Sequence, residues 1–587
     1  MSCLSSKNKI TLSLCIGKLE GRARETSNKK VEFISFTKIP YGIPPLGDRR
    51  FLRPERFGSW EGTRDASSPC PKPVQFIPNY GGISSVIGEE DCLYLNVYTP
   101  DLPVTENQKK FPVIVWIYGG NYLWGDASER FYFPKYLIES GSVVIVTLNY
   151  RLGPLGFLTL GNETVPGNMG LWDQRLAMEW IRTHIGNFGG DADEITLMGH
   201  DAGSVCITNH MVSKSSAGLF HKAICMSGTF VSEKFSFDVS DLASLNSIKE
   251  EFAKECGINN QSDLSDEDLL VKLQSVSLSQ LIEASNKVRQ KLSSSSFLIN
   301  PWAPVMDSKF TDKSFFSESQ LETIKTGEFN KMPILMGTSR HSGIALISEA
   351  IGSEDNKDRL RRDWTVLGGE LILNRPENIL RPQEDLQFVN TLKKFYFDQE
   401  EFTEDGGFDQ LINAVGDAVF LGANDYFIKA VHGGSAQPIY LYNFDHMYSN
   451  ISGGDVFSLS TIQLILKLFL SKIGIKMFND KRLGISHWDE LFCIFSGNDS
   501  FLLKHSITNQ VDQKVANIFT SFIINFASSG NPTSSSGINE ILGDLEWEFT
   551  KKENDKKFLS VSSSPEMQEF DSEQINFLKD AFKKRYS

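Results

Sequence analysis

Residues 199 to 203 read Gly199-His200-Asp201-Ala202-Gly203, directly after a β-branched and aliphatic run through Ile195, Thr196 and Leu197. A helix-compatible stretch follows. A strand, a glycine-flanked turn and a helix in this order thrust the residue between the glycines out at the end of a sheet, beside a helix N-terminus. That residue is Asp201. A carboxylate at a helix N-terminus is favoured by ~0.3–1 kcal/mol. It can attack an alkyl carbon to give an ester, which an activated water then cleaves. Attack on a carboxylic ester would give an anhydride instead, a poor balance of leaving groups. His200 and His341 are read as exposed or locally bonded. No His, Cys and carboxylate spacing supports zinc, so neither a metal nor a cofactor is expected.

The elements that must position these residues are legible in outline. Phe111 to Tyr118 and Val143 to Thr147 are near-continuous apolar runs, as for strands buried on both faces. Gly119-Gly120-Asn121 ends the first of them. Gly170 to Ile181 has helical spacing, and the strand before Asp201 comes next. Met332 to Gly337 and Pro438 to Tyr442 are further strands, separated by helical stretches that include Asp238 to Leu298. Alternating buried strands and helices specify an α/β fold with a parallel sheet covered on both faces. No repeat and no long linker divides the chain, so residues 1–587 are read as a single domain.

Many motifs in order carry a resemblance that covers nearly the whole length. They are Pro40-Tyr41-Gly42 with Pro44-Pro45-Leu46-Gly47, Glu90-Asp91-Cys92-Leu93, Tyr118-Gly119-Gly120, Asn149 to Gly153, Gly167 to Leu171, Phe188-Gly189-Gly190-Asp191, and Gly530-Asn531-Pro532-Thr533. In these the chain resembles the cholinesterase and type-B carboxylesterase family of α/β-hydrolases. The resemblance implies a large, mostly parallel central sheet with helices on both faces and a small N-terminal antiparallel sheet. It also implies a Ser, Glu and His triad, with backbone donors aimed at an oxyanion.

This chain departs from that pattern at several places. Asp201 stands where the family has its nucleophilic Ser. Ser342, in Gly337-Thr338-Ser339-Arg340-His341-Ser342-Gly343, stands where the family has its acid. His487 is retained. Of the oxyanion-hole positions, Gly120 and Ala202 keep the family pattern and Asn121 replaces a glycine. No Gly-x-Ser-x-Gly occurs elsewhere in the chain. The expectation is a non-catalytic member that acts by binding a small apolar ligand in the gorge or a protein partner. The alternative is a hydrolase of the carboxylic-ester or epoxide and haloalkane type that uses Asp201 and His487, with Asp489 or Glu490 as a recruited acid. The resemblance further implies a disulfide between Cys70 and Cys92, and ion pairs between Arg50 and Glu90 and between Arg151 and Asp173. A choline-binding Trp is missing from the loop between Cys70 and Cys92.

A net charge of -14 argues against nucleic acid as a partner. No apolar run approaches the ~20 residues of a membrane span. The run Ile10 to Ile16 with Gly17 to Gly21 reads as a first hairpin rather than a signal sequence. That points to a cytoplasmic protein, or to a secreted one if the N-terminus is incomplete.

Overall fold

The computed structural model describes residues 8–27, 29–77, 85–105, 108–236, 242–259, 264–292, 299–351, 364–375, 383–397, 407–448, 484–496, 507, 509–533, 545–550, 555 and 557–586. Its first strands are β1 (Lys9–Leu14), β2 (Gly17–Glu25), β3 (Glu32–Pro40), β4 (Thr63–Asp65), β5 (Gln75–Ile77) and β6 (Ser85–Ile87). They are followed by β7 (Tyr94–Thr99), β8 (Phe111–Ile117), β9 (Val144–Leu148), β10 (Gly190–His200) and β11 (Lys222–Met226). The last are β12 (Ile334–Ser339), β13 (Ile439–Phe444), β14 (Lys557–Val561) and β15 (Glu566–Glu569). A 13-stranded sheet runs β1-β2-β3-β7-β9-β8-β10-β11-β12-β13-β14-β15, with β4 alongside β2. From β9 through β14 every neighbouring pair is parallel. The strands at both ends pair antiparallel. β5 and β6 form a separate antiparallel pair.

The apolar runs explain the centre of this sheet. Every residue of β9 is buried, as is β8 from Val113 onward, which requires cover on both faces. Cover comes from helices such as α1 (Met169–His184) and α2 (Ala202–Val212). Later ones are α3 (Phe408–Gly416), α4 (Gly422–Gly434), α5 (Gln510–Ser529) and α6 (Ser572–Tyr586). A π-helical turn, Asp417–Leu421, joins α3 to α4. The Asp238 to Leu298 stretch contains the helices Leu242–Glu255, Asp266–Ser275 and Leu278–Leu292, and its ends lie outside the described residues. The sheet brings the C-terminal ends of β8, β10 and β12 together, which is where open parallel sheets place ligands. The loops after those ends carry Gly120 and Asn121, Asp201, and Ser342.

Candidate functional site

Asp201 sits between β10 and α2 with φ 56° and ψ −129°. Its N–H donates to the Met226 carbonyl of β11 at 3.0 Å, and its carbonyl accepts from Val205 at 3.1 Å. The turn stays tight because Gly203 lacks a side chain: a Cβ there would collide with the Ile117 carbonyl oxygen at the end of β8. The side chain of Asp201 is thereby aimed at the loop after β8. Its Oδ2 accepts from the Gly120 N–H at 2.7 Å and the Asn121 N–H at 2.9 Å. A Cβ on Gly119 would stand 2.9 Å from that same oxygen, so this loop position must be glycine for the carboxylate to fit. Asn121 adopts φ 50°, a left-handed conformation that Asn tolerates better than most residues.

The two loop N–H groups are those that the family pattern assigns to the oxyanion hole, and here the chain's own carboxylate occupies them. Asp201 is buried. Burial opposes its charge, but the His487 imidazole and the Ala202 N–H outweigh it and hold the carboxyl well below the usual carboxylate range.

His487 Nε2 lies 3.4 Å from the other oxygen, Oδ1. Neither ring nitrogen of His487 has a well-aligned hydrogen-bond partner among the described residues. Phe420, on the π-helical turn, stacks on the imidazole with centroids 4.6 Å apart and planes at 23°. The His200 ring lies 4.1 Å away on centroids, and its Nε2 donates to the His487 carbonyl at 2.6 Å. Burial and the neighbouring His487 push the His200 pKa down to about 3, so His200 is neutral. Trp124 and Trp488 stack beside them at 5.1 Å and 13°. His341, by contrast, accepts from the Ile485 N–H at 3.1 Å through Nδ1.

The structure leaves His487 Nδ1 without an acid among the described residues. Ser342 is buried in the turn after β12, where its N–H donates to Ser339. Its hydroxyl faces Gly416 of α3, where a Cβ would stand 3.1 Å away. Asp489 Oδ2 is taken by the Ser486 N–H at 2.7 Å. Glu490 accepts from Ser227 Oγ at 3.0 Å and from the Tyr442 hydroxyl at 2.5 Å. Burial raises the Glu490 pKa to about 7 against the pull of those two hydroxyls. Its Oε1 lies 3.7 Å from His200 Nε2.

Arg50 Nε and Nη2 bond Glu90 at 2.6 and 2.7 Å, and Arg50 Nη1 donates to the Gln274 and Val276 carbonyls. Arg151 Nε and Nη2 bond the buried Asp173 at 2.8 Å each, and its Nη1 donates to the Leu52 carbonyl. The expected Cys70–Cys92 disulfide is corrected: both are buried free thiols. Cys70 Sγ instead accepts from Asn149 Nδ2 at 3.3 Å. Burial lifts both thiols well above their usual pKa, and thiol exchange needs the thiolate. No cluster of metal-ligating side chains occurs among the described residues, and no described helix is long and apolar enough to cross a membrane.

Nothing in the order of residues marks Phe420, Ser227 or Tyr442 as belonging to the site. They arrive from β11, β13 and the π-turn through long-range packing, and no local motif marks them. Trp488 had a weak signal, since it follows His487, and Trp124 had less, three residues after Asn121.

Comparison with known proteins places this geometry. A family profile described as "Carboxylesterase family" matches residues 6–578. Juvenile hormone esterase of Tribolium castaneum is 29% identical over 535 residues, which covers 88% of this chain and 83% of that protein. Acetylcholinesterase of Bungarus fasciatus is 30% identical over 469 residues, or 74% of this chain and 72% of that protein. The crystal structure of juvenile hormone esterase from Manduca sexta, with OTFP covalently attached, matches with a TM-score of 0.78. It is 24% identical and covers 98% of this chain and 99% of that chain, a likeness of fold. The sheet is that of an α/β-hydrolase.

Proposed function

The chain belongs to the carboxylesterase family, and from that premise we propose that it has kept the fold and lost ester hydrolysis, acting instead by binding a ligand or a protein. The observation that carries this reading is the Asp201 carboxylate bonded to the Gly120 and Asn121 N–H groups. Ester hydrolysis needs those donors vacant for the developing oxyanion, and removing one such donor costs roughly 10²–10³ in rate. An anionic oxygen already sits there. The nucleophile is also absent, and His487 lacks an orienting acid among the described residues. Purified protein is expected to leave a nitrophenyl ester unhydrolysed above background. Reversion is expected to be graded. Asp201→Ser alone gives little, because a triad without its acid loses roughly 10⁴-fold. Adding Ser342→Glu gives more, and adding Asn121→Gly more again. Steady turnover by the unmodified chain that is lost in Asp201→Asn would refute the reading.

One observation favours a second reading. With Oδ2 held by the loop, Oδ1 keeps a lone pair on the side of His487. Attack of Oδ1 on an alkyl carbon would open an epoxide or expel a halide. It would leave an ester whose carbonyl oxygen already rests on two donors. A water deprotonated by His487 would then attack Cγ. Incubation with an epoxide or haloalkane in H₂¹⁸O, followed by mass analysis of the Asp201 peptide, separates the readings. Label in Asp201 supports this chemistry, and an unmodified, unlabelled peptide supports the first reading.

A further inference from the structure

A cleft of about 770 Å³ opens beside β2 and β3 and the segment Ser128 to Arg130. Its size is that of a small-molecule site. Neither Asp201 nor His487 nor the loop after β8 lines it. Five basic side chains, Lys9, Arg22, Arg24, Lys72 and Arg130, line it against two carboxylates, Glu25 and Glu129. In a chain of net charge -14 the sign is locally inverted.

Most of these charges are already committed. Arg24 bonds Glu129 through both nitrogens, and its guanidinium lies 5.2 and 5.1 Å from the Phe33 and Phe133 rings. Lys9 pairs with Glu20, Lys72 with Asp126 at 3.2 Å, and Glu25 with Lys30 at 3.0 Å. Arg22 and Arg130 are different: among the described residues neither makes a close ion pair. Arg22 acts only at a distance on Asp65, whose oxygens are taken by the Ser67 and Ser68 hydroxyls.

We propose that this cleft binds a small, multiply charged oxyanion of the phosphate type. Two guanidinium forks match the paired oxygens of a phosphate. Arg24, fixed by Glu129 and two rings, forms the rigid wall. The proposal stands whether or not the hydrolase site is active.

The test is calorimetric titration of the full chain with inorganic pyrophosphate at low ionic strength. Saturable 1:1 binding is expected, weakened at least tenfold in Arg22→Gln and in Arg130→Gln. Arg130 is exposed and Arg22 only half-buried, so both variants are expected to fold. Absence of saturable binding, or equal affinity in the parent and both arginine variants, overturns the proposal. A second arm separates a free phosphate from a lipid headgroup. Co-sedimentation with phosphatidylcholine vesicles containing phosphatidic acid, lost in Arg22→Gln and competed by pyrophosphate, assigns the same chemistry to a headgroup. Failure to sediment, with pyrophosphate binding intact, assigns a soluble ligand.

Discussion

Replacing Asp201 with Ala vacates the acceptor of two buried N–H groups, and the consequence can be worked from the geometry. The Gly120 and Asn121 donors stand 2.7 and 2.9 Å from Oδ2. A buried donor left unsatisfied costs about 1–3 kcal/mol, so the two together cost about 2–6 kcal/mol. Relief of the buried charge returns part of this, leaving a net loss of about 2–4 kcal/mol. Asp201→Asn keeps a carbonyl oxygen in place and is expected to lose only about 1 kcal/mol. If the vacated site is an anion hole, a small carboxylate should refill it. Formate at ten times its dissociation constant restores about 1.4 kcal/mol through mass action, whereas methanol at the same concentration restores none. The assay is urea unfolding followed by tryptophan fluorescence, with formate or chloride as the added salt. An Asp201→Ala variant within ~0.5 kcal/mol of the parent, or a formate effect no larger than that of chloride, would refute the claim that the carboxylate fills and stabilises the hole.

The pH dependence of the same side chain has a fixed sign. Because its folded-state pKa is held down, its stabilising effect is fully present above the unfolded Asp value of ~3.9 and is lost as pH falls toward the folded value. The stability gap between the parent and Asp201→Asn should therefore shrink as pH falls below about 4. Glu490 runs the opposite way. Its folded-state pKa is raised to about 7, so the fold loses stability as pH rises from the unfolded value of ~4.3 through 7. Relative to the parent, Glu490→Gln should gain stability over that window by a few kcal/mol at most, and a pH-independent difference would count against a neutral Glu490. Arg151→Ala strands the buried Asp173 carboxylate and should cost about 3–5 kcal/mol in urea unfolding, where a loss under ~1 kcal/mol would mean the pair is not buried in solution.

The sheet was legible because burial on both faces leaves a plain mark: β8 and β9 are short apolar runs bounded by turn residues, and little else folds that way. The turn at Asp201 was legible for a similar reason, since its glycines answer to hard steric limits. What the sequence could not convey is where the atoms of the new side chain end up. Asp201 and the N–H groups it fills are 80 and 81 residues apart, and Phe420 and His487 reach the same point from further along the chain. Residue types at single positions do not encode such distances. The disulfide expectation failed for a related reason, because a motif fixes alignment along the chain and leaves the state of the two thiols open.

The three changed positions nevertheless form one consistent arrangement. Asn at 121 preserves the left-handed loop and its N–H, so the anion hole survives the loss of glycine. A hole that survives in a buried site must be filled, and Asp201 carries an anionic oxygen at the right reach from the turn. With that charge next to it, His487 has its electrostatic partner on the Nε2 side. A second carboxylate at 342 would place two buried anions around one imidazole, whereas Ser342 adds no charge. An Asp at 201 and a Ser at 342 are thus an electrostatically consistent combination around one imidazole. The substitution that tests this is Ser342→Glu in the parent: it should destabilise the chain that keeps Asp201 and be tolerated in the chain that carries Asp201→Ser. Equal effects in the two backgrounds would separate the positions and remove the coupling.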